Sequence, residues 1–476
     1  MRNSTRIVLI LALLFGVAGL FSLSACQKKA QVGNQNPDRP NIIIFMTDDQ
    51  PMHTMDYMPV VQRELIDKGV NFTQAYATTP LCCPSRASII TGLFAQHTGV
   101  LTNRPGAPAF TKDKETVAVW FKQAGYRTGW IGKYFNNIDV LSLDYIPPGW
   151  DDYQVLWERD KSYDYFSFFY GYLLNDNGKL ESYGLDAEDY STDVFTEKAK
   201  TFIEASGQEP FFLVLSYYAP HYPYDSAKRH EKRFTTDEEW NPHWPPNFIE
   251  EDMSDKPVWL QEMKKIEYNY AFDSDQAMLR SLLSADEGIE QILKLLDNRQ
   301  VRENTIILFI SDNGMSVGEH HIIGKDCPYE ECIQIPFVVT YPRLENTPRT
   351  EDKFALNIDI TPTLLEFANI PIPAGLDGVS LVPLLQNPQV DWREHIFIEH
   401  YRDGEADDPS GLSATIPTYW AIRTTQWKYV EYIHGEQELY DMINDHYELE
   451  NLAYLPQYAE LIRGFSEQLQ PFRFEP

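Results

Sequence analysis

Cys82 stands in the run Leu81-Cys82-Cys83-Pro84-Ser85-Arg86-Ala87-Ser88-Ile89-Ile90-Thr91-Gly92. A thiol can serve as nucleophile, metal ligand or redox centre, and neighbouring charge sets its reactivity. A buried cysteine pair beside a proline turn is most often plain packing. The run therefore gains meaning from what else the chain places near it. Asp48-Asp49 follows the apolar stretch Asn41-Ile42-Ile43-Ile44-Phe45-Met46, and Asp312-Asn313 follows Thr305-Ile306-Ile307-Leu308-Phe309-Ile310. Either pair alone reads as a strand-ending turn. Two of them after buried strands, beside the cysteine run, read as a metal site made of Asp48, Asp49, Asp312 and Asn313. Their donors are hard oxygens, which favours Ca²⁺, or Mg²⁺, over zinc or copper.

The elements that must position these residues are legible too. Two further apolar runs end in polar residues: Arg127-Thr128-Gly129-Trp130-Ile131 before Gly132-Lys133, and Phe211-Phe212-Leu213-Val214-Leu215-Ser216 on the way to His221. Continuous apolar runs of this length suit strands buried on both faces. Helical patterns alternate with them, one carrying Leu279, Leu282, Leu283, Ile289, Ile292, Leu293 and Leu296 mostly on one stripe. The rhythm predicts an α/β fold with a large, mostly parallel central sheet flanked by helices. Such sheets place sites outside the carboxyl ends of their strands, so the four polar clusters should meet on one edge. After about Gly375 the pattern changes. Runs at 418–423 and 427–432, split by Thr424-Thr425-Gln426, predict an antiparallel hairpin. A helix is predicted over 457–470. Together they give a smaller C-terminal α+β domain with an antiparallel sheet.

Arg2 and Arg6 precede an apolar stretch over 7–21 that is too short for a spanning helix and reads as a secretory signal. It ends Leu23-Ser24-Ala25-Cys26, which resembles a bacterial lipobox. The expectation is a lipoprotein signal over 1–25, lipidation at Cys26, a polar tether over 26–39, a catalytic domain over 40–375 and a C-terminal subdomain over 376–476. The protein would be exported and held at the cell envelope, periplasmic or on the surface, by a lipid anchor in the membrane. The competing reading is cleavage after a small residue, with Cys26 an ordinary thiol. The chain has 476 residues and a net charge of −30, which argues against nucleic acid as a partner. No long basic groove for a polyanionic polymer is evident, so a small or end-bound anion met by local cations fits better. Five cysteines do not make a disulfide scaffold. Cys327 and Cys332 are open to either pairing or staying reduced.

The cysteine run resembles the signature of the type I sulfatases of the alkaline phosphatase superfamily. The resemblance extends over Thr47-Asp48-Asp49-Gln50, Gly132-Lys133-Tyr134-Phe135-Asn136, Ile146-Pro147-Pro148-Gly149-Trp150-Asp151, Ala219-Pro220-His221-Tyr222-Pro223, Gly318-Glu319-His320 with Gly324-Lys325, and Glu438-Leu439-Tyr440-Asp441. The N-acetylglucosamine-6-sulfatase branch is the most similar. The resemblance implies that a maturation enzyme oxidises Cys82 to formylglycine, whose hydrate is the nucleophile. It implies that Asp48, Asp49, Asp312 and Asn313 hold Ca²⁺ together with residue 82. Arg86 would keep the nucleophile polarised, Lys133 and Lys325 would bind sulfate oxygens, and His221 would act at the leaving-group oxygen. The implied substrate is a sulfated carbohydrate. Many sulfatases carry histidine where this chain has Phe135, which leaves the base that expels sulfate unassigned; His320, expected among the substrate-binding residues, is a candidate for it. Two other readings stand beside this one: a phosphonate or phosphate ester hydrolase on the same fold, and a surface lipoprotein that binds glycans without cleaving them.

Overall fold

The computed structural model describes residue 36 and residues 38–474, apart from 161, 163–166, 237–238, 241–243 and 403–415. Cys26 and the signal and tether predicted around it lie outside the described residues, save the tether's last few. The four runs read as strands are strands, at Asn41–Thr47, Arg127–Gly132, Phe211–Ser216 and Thr305–Ser311. They lie side by side at the centre of a ten-stranded sheet. Asn41–Thr47 pairs in parallel with Thr305–Ser311 on one side and Phe211–Ser216 on the other, and Arg127–Gly132 pairs in parallel with Phe211–Ser216. The register sets Thr47 opposite Ser311 and Gly132 opposite Ser216, so all four strands end at one level.

The reason for the unbroken apolar runs is visible in the packing. Alternate residues of each strand feed opposite faces. Ile42, Ile44 and Met46 join one core with Phe212, Val214, Ile306, Leu308 and Ile310. Ile43 and Phe45 join the other with Leu213, Leu215, Ile307 and Phe309. The first face is covered by helices Cys82–Thr91, Val117–Gln123 and Ile360–Phe367. The second is covered by Ser191–Ala205 and the long helix Tyr268–Asn298. Most of the predicted leucine stripe faces the sheet, while Leu279 and Leu283 pack instead on Phe234 and Trp240.

A second sheet of four antiparallel strands runs His395–His400, Tyr419–Thr424, Trp427–Tyr432 and Gln437–Asp441. The predicted hairpin is its centre. Helix Ala459–Leu469 covers one face through Ile462, Phe465 and Leu469. The other face packs on Tyr76, Tyr329, Ile333 and Leu356 of the large domain. Between the two sheets, Leu381, Leu384 and Leu385 still belong to the core of the large one. The first strand of the antiparallel sheet begins at His395.

Candidate active site

The cysteine helix Cys82–Thr91 points its first residue at the ends of the central strands. Gly92 closes the other end with φ +74, its N–H donating to Ser88 O at 2.8 Å. Cys82 is fully buried. Its Sγ lies 3.4 Å from Asp48 Oδ1, 3.5 Å from Asp49 Oδ1 and 2.7 Å from Lys325 Nζ. The helix start is pinned by Asn103, whose Oδ1 accepts from Cys83 N at 2.9 Å. Ser85 Oγ donates to Asp312 O and accepts from Asn357 Nδ2 at 2.9 Å.

Arg86, one turn along, is wholly buried. Nε donates to Asp312 Oδ2 at 2.8 Å, and Nη1 to Lys133 O at 2.7 Å and Ser216 Oγ at 2.8 Å. Nη2 stands 3.6 Å from Asp48 Oδ2. One guanidinium thus joins the ends of all four central strands, which a planar fork can do and an ammonium cannot. Lys133 Nζ forms an ion pair with Asp48 Oδ2. Lys325 Nζ reaches both oxygens of Asp49, at 2.9 and 2.8 Å. Asp49 itself takes φ +61, a left-handed conformation held by its N–H donating to Asp312 Oδ1 at 3.1 Å. Asn313 Nδ2 donates to Asp49 Oδ1 at 2.7 Å, whereas the buried Asn313 Oδ1 accepts no hydrogen bond from the described residues.

The charges balance. Asp48, Asp49 and Asp312 face Arg86, Lys133 and Lys325. Burial works against ionising Asp48, but Lys133, then His221 and Arg86, hold its carboxyl far below the usual range. Asp312 goes the other way. Burial and the adjacent Asp48 charge lift it to about 6 against the pull of Arg86. His221 Nε2 stands 3.5 Å from Asp49 Oδ2. Its Nδ1 lies 2.7 Å from Tyr222 O, so the neutral ring donates there and keeps its lone pair at Nε2. Burial and Lys133 push His221 down to about 4, opposed by Asp49. Its side chain is 23 % exposed, against 9 % for Lys133 and 12 % for Lys325. These three are the partly exposed side chains around the fully buried Cys82.

Nine of the ten predicted site residues within the described chain therefore meet: Cys82, Arg86, His221, Lys133, Lys325, Asp48, Asp49, Asp312 and Asn313. His320 does not join them. It is buried, with Nδ1 2.6 Å from Glu250 Oε2, Nε2 3.1 Å from Asn247 Nδ2, and its ring stacked on Tyr329. It adopts φ +50 and lies in the polar network between the two domains, so its contacts do not support the role of base. Phe135 packs between Tyr134 and Phe110 beside a cavity of about 250 Å³ that Ser142 and Tyr145 also line. Tyr217 and Tyr224 are core residues, while Tyr218 lies against His221 and Lys133. Sequence reasoning missed Ser216, Asn103 and Asn357. Only Ser216 had a signal, as a hydroxyl ending an apolar strand. Cys327 and Cys332 form a disulfide.

The cluster has the donors a cation needs. Asp48, Asp49, Cys82 and His221 each offer an atom within 4.8 Å of the others. Asn313 Oδ1, buried and without a donor, adds a further oxygen. An acceptor so placed fits a hard cation.

Comparison with known proteins agrees with this geometry. The family model described as Sulfatase matches residues 40–370. The chain belongs to the sulfatase family. A second family model, described as N-sulphoglucosamine sulphohydrolase, C-terminal, matches residues 318–475. A putative extracellular sulfatase Sulf-1 homolog of Caenorhabditis elegans is 34 % identical over 75 % of this chain and 52 % of its own length. The chain thus spans about half of that relative. The N-acetylglucosamine-6-O-sulfatase of Bacteroides thetaiotaomicron is 28 % identical over 96 % of this chain and 90 % of its own. Among solved structures, one described as a complex with its substrate D-glucosamine-2-N,6-O-disulfate superposes with a TM-score of 0.77. That match has 26 % identity and covers 91 % of this chain and 97 % of the other.

Proposed function

We propose that this sulfatase-family chain hydrolyses sulfate monoesters of sugars, through residue 82 as formylglycine and with Ca²⁺ on the acidic cluster. A 6-sulfated N-acetylglucosamine unit is the favoured substrate class. The observation that carries the reading is the placement of Cys82 at the head of a buried helix, against two carboxylates and the Lys325 ammonium, with Lys133 beside them. The relative from Bacteroides thetaiotaomicron and the sugar-disulfate complex support the substrate class.

A sulfate monoester is an anion that repels nucleophiles. When bound, Ca²⁺ would supply Lewis-acid stabilisation of charge on the sulfuryl oxygens. Asp48, Asp49, Asp312 and Asn313 would hold it. Lys133 and Lys325 would meet the ester as preorganised positive charge. Residue 82, as an aldehyde hydrate, carries two hydroxyls. One attacks sulfur, giving its proton to His221, and displaces the sugar alcohol; loss of the other's proton to solvent then breaks the carbon–oxygen bond to sulfate, expels sulfate and restores the aldehyde. Arg86 stays fixed on Asp312 and keeps the helix head in place. His221, with its lone pair at Nε2, takes up the proton of the attacking hydroxyl and delivers it to the departing alkoxide.

We also infer that the chain is exported and anchored through Cys26. The N-terminal pattern supports this, and so does a disulfide, which persists in oxidising compartments. The test of function is the mass of the tryptic peptide 69–86 from the producing cell, with turnover of matched sulfate and phosphate esters. An aldehyde at residue 82 with preference for the sulfate ester is expected. An unmodified thiol in a cell that matures its other sulfatases would overturn the catalytic reading and favour the glycan-binding lipoprotein. Preference for the phosphate ester would favour the phosphonate or phosphate hydrolase.

A further inference from the structure

Lys325 is the site's cation that a loop carries, just after a two-residue strand. Its side chain is long and flexible, and its charge is useful only where the backbone fixes its root. It follows the two-residue strand Ile323–Gly324, and the chain then leaves through Asp326, whose φ is +74. Asp326 N donates to Pro80 O at 3.0 Å, which ties the loop to the approach of the cysteine helix. The next residue is Cys327, bonded to Cys332.

The Cys332 half is firmly held. It sits in the helical turn Glu330–Ile333, and its carbonyl accepts from Gly314 N at 3.0 Å. Gly314 directly follows Asn313. It has no room for a side chain, since a Cβ there would lie 2.2 Å from Glu331 O. The same turn is anchored from the small domain, with Lys428 Nζ donating to Pro328 O at 2.9 Å and Glu448 Oε2 accepting from Glu330 N at 2.9 Å. Cys332 Sγ also lies 3.6 Å from Gly324 O, the carbonyl just before Lys325. Both half-cystines are fully buried. The bridge closes only a short loop, of sequence separation 5, so it restrains the unfolded chain weakly. Its effect should fall mainly on the native loop.

We propose that the Cys327–Cys332 disulfide is a positioning device for Lys325. It ties the loop that carries the ammonium to the turn that backs Asn313, and so fixes where the anionic sulfate ester is held. This rests on the sulfatase reading above, with Lys325 as a sulfate contact.

The test compares four proteins, each with formylglycine at residue 82 checked by mass: wild type, Lys325→Gln, Cys327→Ala/Cys332→Ala, and the triple variant. Breaking the bridge should raise KM for a sulfate ester about tenfold, with kcat changing much less, because Lys325 contributes binding in ground and transition states alike. Lys325→Gln should carry a large KM penalty in wild type and a penalty of less than about threefold once the bridge is gone, since the two act through one contact. Unchanged KM in the double cysteine variant, or equal Lys325→Gln penalties in both backgrounds, overturns the proposal. A wild-type protein that carries the aldehyde and turns over no sulfate ester instead overturns the functional reading. A second measurement needs no variant. A dithiol reductant gives two electrons and two protons to the bridge, leaving two thiols and the oxidised reagent. Hydrogen exchange should then quicken over residues 324–328, and unchanged exchange there counts against the proposal.

Discussion

At the scale of single residues, the site depends on two side chains for which no close substitute exists. Residue 82 must bring a nucleophile that can be regenerated. A Cys82→Ser variant keeps one hydroxyl and loses the second, so it has no internal route to expel sulfate. Turnover should fall to background, with a mass increase of one sulfate on the variant's peptide spanning residue 82. Full turnover by that variant would sink the hydrate mechanism. Arg86 is the other. Arg86→Lys keeps the charge but cannot meet Asp312 Oδ2, Lys133 O and Ser216 Oγ together. Each buried group left without its donor costs about 1–3 kcal/mol. Urea unfolding should show a loss of roughly 2–4 kcal/mol, and activity should fall at least a hundredfold because the helix head is no longer held. An unchanged unfolding midpoint would show that the guanidinium network contributes little.

At the scale of elements, the level ends of four strands make the site, and Gly132 shows how closely they meet. It has φ +105, and a Cβ there would stand 1.9 Å from Ser216 O. Gly132→Ala must therefore push two central strands apart just before Lys133. A destabilisation of roughly 2 kcal/mol or more is expected, with kcat/KM reduced tenfold or beyond as Lys133 shifts from Asp48. Thermal unfolding and steady-state kinetics check the two effects separately. This level of organisation was largely readable in advance. A strand buried on both faces needs unbroken apolar residues, and a polar residue straight after it has nowhere to go but the strand end, so Asp48, Lys133 and Asp312 announced themselves. What stayed hidden depends on contacts between segments far apart in the chain. Ser216 matters because Arg86 arrives beside it from a helix 130 residues away in sequence. His320 is buried against Asn247 and Glu250, which stand 73 and 70 residues away in the chain. The pairing of Cys327 with Cys332 depends on how the intervening turn is anchored, which spacing alone does not decide.

At the scale of the whole molecule, a net charge of −30 surrounds a reactive centre whose own charges cancel. The carboxylates that make up the excess are mostly on the surface, but several are buried where the two domains meet, and these make stability depend on pH. Glu399 is the cleanest case. It lies in the first strand of the small sheet, is 3 % exposed, accepts from Tyr401 OH at 2.8 Å, and accepts from Gln96 N of the large domain at 3.3 Å. Burial lifts its pKa from 4.5 to about 7, although those hydrogen bonds favour the charged form. The folded value is the higher one, so the unfolded chain gives up this proton first. Stability from Glu399 is complete below about pH 4.5, declines as pH rises to about 7, and stays at its lower level above that. The decline is worth up to about 3 kcal/mol. Glu399→Gln keeps an acceptor for Gln96 N and cannot ionise. The variant should therefore be more stable than wild type at pH 8 and no more stable at pH 4.5. Subtracting the two unfolding curves across that window isolates Glu399 from other buried carboxylates with the same direction of shift, such as Glu250. A difference that does not change with pH would mean that Glu399 is ionised in the folded protein throughout, with its hydrogen bonds outweighing its burial.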